Sequence, residues 1–104
     1  MKLDLEVKIR VREILKIVQQ VAPGNSVELR IPPYAAIQCV AGSVHRRGTP
    51  PNVVEMSGDT LMELVGNPNY WDEFCHKGRI SASGTNSNLK DLFTQVSKLD
   101  SGSK

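Results

Sequence analysis

The sequence predicts a single α+β domain with helices packed on one face of a sheet. Three observations predict it. A helix-spaced apolar stripe opens the chain, alternating apolar and polar residues cluster in its middle, and helix-spaced stripes return after residue 60. A chain of 104 residues holds one core, so a second domain is not expected. The domain is expected over residues 1–99, followed by a disordered polar tail, Asp-Ser-Gly-Ser-Lys, over 100–104.

At the start, Leu3, Leu5, Val7, Ile9 and Val11 alternate with charged residues, which taken alone is a strand pattern. From Val7 onward, Val7, Val11, Ile14, Val18 and Val21 recur at spacings of four, three, four and three. That is one face of a helix, widened by Leu15. The spacing predicts a long first helix ending near Ala22, stopped by Pro23-Gly24-Asn25. Ser26 to Ile31 then alternates cleanly, with Val27, Leu29 and Ile31 on the buried side, and Tyr34 to Ala41 reads as a second strand after Pro32-Pro33. Ser43 to Arg47 is a candidate short third strand. Pro50-Pro51 excludes a central strand, because each proline removes a ladder donor, and Val53 to Met56 resumes an extended run.

Thr60 and Glu63 have the spacing of a capping box and predict a helix carrying Leu61, Leu64 and Val65, ended by Gly66-Asn67-Pro68. Asn69 is the expected cap of the next helix, with Trp71, Phe74 and Cys75 inward and Gly78 just past its C-cap. Arg79 to Ser83 alternates again. A last helix, capped by Ser87, carries Leu89, Leu92, Phe93, Val96 and Leu99 on one stripe.

Composition narrows the class of function. With 39% hydrophobic residues and a net charge of only +2, the chain is neither disordered nor a nucleic-acid binder, which would show a clustered basic footprint. No apolar run approaches the roughly 20 residues of a membrane span. The N-terminus, MKLDLEVKIR, has no apolar leader region, and a cytoplasmic location is expected. Sequence leaves a disulfide between Cys39 and Cys75 open, but two reduced core thiols are expected in that compartment.

No catalytic constellation stands out. Cys39, His45, Cys75 and His76 fit no CxxC or HExxH spacing, and adjacent residues 75 and 76 on a helix point about 100° apart. No metal, no cofactor and no enzymatic activity are expected. An enzyme would need Cys39, His45 or Cys75 to be essential. The segment from His45 to Asn52 is either a proline-stiffened loop or an anion-holding lip in which Arg46 and Arg47 engage a carboxylate or phosphate.

The run DTLMELVGNPNYWDEFCHKGRISASGTNSNLKDL, Asp59 to Leu92, resembles the second half of sterol carrier protein domains. Leu61, Leu64, Gly66, Phe74, Gly78, Arg79, Ile80, Gly84, Leu89 and Leu92 carry the likeness. PGNSVELRIPPYAAIQCVAG and HRRGTPPNVVE are similar to the small actinobacterial branch of bacterial sterol-carrier orthologues, so the resemblance covers roughly residues 20–96. It implies a mixed or antiparallel sheet of about five strands, helices over one face, an apolar tunnel between them, and lipid binding without catalysis. The fold is also similar to the C-terminal domain of mycothiol-dependent isomerases. That likeness implies an alternative role as an accessory module, with a protein partner, beside a thiol-dependent enzyme.

The expected ligand is therefore a lipid or another apolar small molecule. Trp71, Phe74, Leu89, Leu92, Phe93 and Val96 are expected to line a cleft, with Ile37 and Ile80 on its floor. Arg46 or Arg47 would meet a polar head at its mouth. The same stripes are equally the pattern of a filled core.

Overall fold

The computed structural model describes residues 4–42 and 52–102. Helix α1 spans Leu5–Val21, and Asp4 caps it by accepting from the backbone amides of Glu6 and Val7. The predicted stripe faces in: Val11, Ile14, Leu15 and Val18 are buried. The helix stops at Ala22, and the turn that follows docks onto the end of the second strand. There Val40 donates to the Ala22 carbonyl at 2.7 Å, while the Ser26 amide and hydroxyl both donate to the Val40 carbonyl. Gly24 makes this approach possible. Its φ is +147°, and a Cβ there would lie 2.3 Å from the Val40 carbonyl oxygen.

Strands β1 (Val27–Ile31) and β2 (Ala35–Cys39) form an antiparallel pair in which Leu29 faces Ile37. Strand β3 (Asn52–Met56) returns parallel to β1, and β4 (Ile80–Ser83) runs antiparallel to β3. Among the described residues the sheet is mixed and four-stranded, in the order β2-β1-β3-β4. That is one strand fewer than the resemblance implies. The third strand expected over Ser43–Arg47 lies outside the described residues.

Register puts Val27, Leu29, Ile31, Cys39, Val54, Met56 and Ile80 on one face, all buried. Arg30, Gln38, Glu55 and Ser81 on the other face are exposed. The described helices therefore cover one side of the sheet, as the polar-out alternation requires. Asn52 joins the buried face: its amide donates to the Ser26 carbonyl at 2.9 Å and its carbonyl accepts from the Asn86 amide at 3.0 Å. These bonds satisfy a side chain that would otherwise be costly to bury.

Helix α2 (Gly58–Gly66) is capped by Ser57, whose hydroxyl accepts from the Thr60 amide. This corrects the predicted Thr60–Glu63 box. Thr60 is buried inside the first turn, and Glu63 pairs instead with Arg79, which also donates to the Thr60 hydroxyl. The guanidinium holds the Glu63 carboxyl below its usual range. Gly58 lets α2 close on α1, because a Cβ there would sit 2.8 Å from a Val7 methyl.

A single 3-10 turn, Pro68–Tyr70, precedes α3 (Trp71–His76). Asn67 caps the 3-10 turn by accepting from the Asn69 amide, and α3 itself has no side-chain cap, so the Asn69 cap expected for it is not made. Gly78, with φ +77°, ends this region as expected. Helix α4 spans Lys90–Gly102. Asn88 accepts from the Lys90 amide at its start, whereas the predicted cap, Ser87, donates to the Gly84 carbonyl.

The end of α4 differs most from expectation. Its inward row runs Leu89, Phe93, Val96 and Asp100, so Leu99 turns outward and is 52% exposed. Asp100, placed in the tail by sequence, is only 8% exposed and inside the helix. Its carboxylate accepts two bonds from the Arg10 guanidinium, at 2.9 and 2.6 Å.

Candidate functional site

The predicted contact residues fall into three places. Trp71, Phe74, Ile80, Phe93 and Val96 are 0–3% exposed and belong to the closed core. Trp71 and Phe93 stack there with ring centroids 6.2 Å apart. The Phe74 ring carries the Arg79 guanidinium 4.2 Å from its centroid, so its outer face is also occupied. Leu89 and Leu92 border the same core and reach a cleft of about 540 Å³, whose other walls include Val21, Ala22, Val40, Ala41, Asn86 and Gln95. Ile37 goes elsewhere. It lies on β2 and Ile80 on β4, the outermost strands among the described residues, separated by two strands, or roughly 14 Å at ordinary strand spacing. The two isoleucines do not share one floor. Arg46 and Arg47 lie outside the described residues.

Ile37 opens a groove of about 560 Å³ between α1 and β2, which Ile9, Leu15 and Ala35 also line. Local geometry explains it. The α1 stripe buries Val11, Ile14 and Val18, and Ile9 sits two residues off that row, about 200° around the helix. Ile9 is consequently 54% exposed, and Leu5, one turn earlier, 67%. Strand β2 offers only half-buried Ala35 and Ile37 beneath them. Arg12, Glu13, Lys16 and Gln19 complete the walls. This combination, an apolar floor with a few polar groups around it, is the usual make-up of a small-molecule site.

Sequence reasoning passed over this groove, although a signal was present. Leu5 and Ile9 are spaced as helical neighbours yet lie off the main stripe, so a second apolar ridge was legible in the same helix.

Of the candidate reactive groups, His45 lies outside the described residues. Among the described residues no group of three or more His, Cys, Asp or Glu could hold a metal. Cys39 is buried, and burial pushes its thiol from an ordinary value of 9.0 up to about 11. Cys75 is half-buried and raised too, first by burial and then by Asp72. Both stay thiols at neutral pH, the unreactive form. A two-unit rise cuts the thiolate fraction about 100-fold, so native Cys39 is expected to react with a disulfide reagent at least that much more slowly than in denaturant. Stopped labelling with mass readout checks this. The same shift sets a pH dependence. Its stabilising contribution is complete below pH 9 and is lost as pH rises toward about 11, because only the unfolded thiol ionises in that window.

With this geometry in hand, comparison with protein families is informative. The family described as "Bacterial SCP ortholog" matches residues 5–94, from the start of α1 into α4. The chain belongs to this family. The match spans all four described strands, the α1–β2 groove and all of the other cleft's lining except Gln95, in agreement with a sterol-carrier-protein-like α+β fold. No curated protein matches the chain. No helix among the described residues is long and apolar enough to cross a membrane.

Proposed function

We propose that the chain is a non-catalytic carrier that binds a lipid or similar apolar molecule in the groove between α1 and β2. The observation that supports this most is the unsealed apolar strip of Ile9, Ala35 and Ile37, in which Ile9 is 54% exposed directly beside half-buried Ala35 and Ile37. Membership of a sterol-carrier-protein-like family agrees with a carrier role. On this reading Ile37 is the predicted contact residue that meets ligand at the surface. Trp71, Phe74, Ile80, Phe93 and Val96 hold the sheet and helices rigid beneath it, and Leu89 and Leu92 wall the cleft on the other side of the sheet's end.

The test is displacement of an uncharged, polarity-sensitive dye by dodecanol. Binding in the micromolar range is expected. Ile9→Ser, which removes apolar surface at an exposed site, is expected to weaken it about tenfold, since each buried methylene contributes about 0.8 kcal/mol. If no apolar probe binds, the carrier role fails. Retention of the chain in a larger complex on purification from its native cell would then favour the accessory role beside a thiol-dependent (mycothiol-type) enzyme.

A further inference from the structure

We propose that Arg12 and Lys16 form an anion clamp at the rim of this groove, which makes its ligand a single-chain amphiphile with a carboxylate or phosphate head. The inference rests on the apolar-ligand reading of the same groove and goes beyond it by naming head-group chemistry and the residues that read it.

Arg10, Arg30, Lys77, Arg79 and Lys90 each have a carboxylate partner. Arg12 and Lys16 have none among the described residues, although both line the groove. They stand four residues apart on α1, where like charges are neighbours and repel. Among the described residues Glu13 is the one carboxylate of the groove wall, and it lies 3.7 Å from Arg10. Two adjacent cations beside an apolar strip thus make no ion pair among the described residues.

Four residues of helix rise about 6 Å, and both side chains are long and flexible, so one small oxyanion can reach both. The guanidinium offers a planar fork to a carboxylate or phosphate, and the ammonium adds a point charge. The order along α1 sets the pose. Ile9 lies one turn before Arg12, so the head is held at Arg12 and Lys16 while the tail lies over Ile9, Ala35 and Ile37. Among the described residues the cleft at Leu89 and Leu92 has no charged residue in its lining, whereas the α1–β2 groove has Arg12 and Lys16.

Calorimetric titration of the full chain at low salt separates the possibilities. The ligands are monomeric dodecanoate, dodecanol and inorganic phosphate, each with the parent protein and with Arg12→Gln/Lys16→Gln. Dodecanoate is expected to bind about tenfold or more tightly than dodecanol, with the gap shrinking as salt screens an exposed clamp. The double variant should lose that gap, with dodecanoate binding no more tightly than dodecanol. Inorganic phosphate, lacking a tail, should bind far more weakly than dodecanoate. Equal affinities for acid and alcohol, or a preference that survives in the double variant, overturns the clamp while leaving the carrier role intact. Failure of both amphiphiles overturns both. Binding to vesicles of anionic lipid without binding of monomeric dodecanoate overturns the clamp in favour of a surface patch.

Discussion

Replacing Phe93 with alanine is expected to destabilise the fold by about 3–5 kcal/mol, the usual cost of deleting a fully buried aromatic ring. Phe93 is 0% exposed, stacks on Trp71, and lies at the centre of the inward row of α4. A domain of this size has about 5–15 kcal/mol of stability in all. The variant is therefore expected to melt about 15 °C or more below the parent, and urea unfolding followed by Trp71 fluorescence measures the loss directly. The magnitude also decides what the stripe is. If Phe93 bordered a void, truncation would cost nearer the transfer contribution alone, about 1.5–3 kcal/mol, and the enlarged space would change affinity for dodecanol. A large loss of stability with unchanged dodecanol binding places the ring in plain core and the ligand in the α1–β2 groove.

Local pattern made much of this architecture legible. The row Val11, Ile14, Val18 is buried where a 3.6-residue period puts it, and Val27, Leu29 and Ile31 alternate inward as read. What local pattern does not carry is pairing between distant residues. The sequence marks Thr60 as the start of α2, but Ser57 caps it, and Arg79, nineteen residues beyond Thr60, occupies both Thr60 and Glu63. Asp100 looked like tail because a lone carboxylate among serine and glycine has no reason to be inside, and its reason, Arg10, is ninety residues away. The site suffered in the same way. Both Ile37 and Ile80 face the helices as their alternation demands, but strand order decides whether inward residues are neighbours. The parallel placement of β3 between β1 and β4 carries those two to the outermost strands among the described residues. A second apolar ridge on α1, Leu5 and Ile9, is present in the sequence, but helix spacing alone does not say which strand lies beside it.

The second large effect is expected at the clasp that joins the first helix to the last. Arg10→Met removes the bidentate partner of a carboxylate that is 8% exposed, and such a loss from a nearly buried pair costs about 2–4 kcal/mol, somewhat below the figure for fully buried pairs because Arg10 is partly open to water. Asp100→Asn should cost less, since it leaves a neutral amide in the inner position and a guanidinium that water can reach. Urea midpoints of the two variants order them. The double variant Arg10→Met/Asp100→Leu tests the physics behind both numbers. Desolvating two charges offsets most of their attraction, so an apolar pair of similar size is expected to restore most of the lost stability, and the cycle should return a coupling of about 1–3 kcal/mol. Additive losses, with no recovery in the double variant, would show that Arg10 and Asp100 act separately. Hydrogen exchange along α4 locates the effect. Amides of Val96 to Asp100 should exchange faster in Arg10→Met while those of β1 keep their protection, because the clasp pins the end of a terminal helix whose inner row is already apolar at Leu89, Phe93 and Val96.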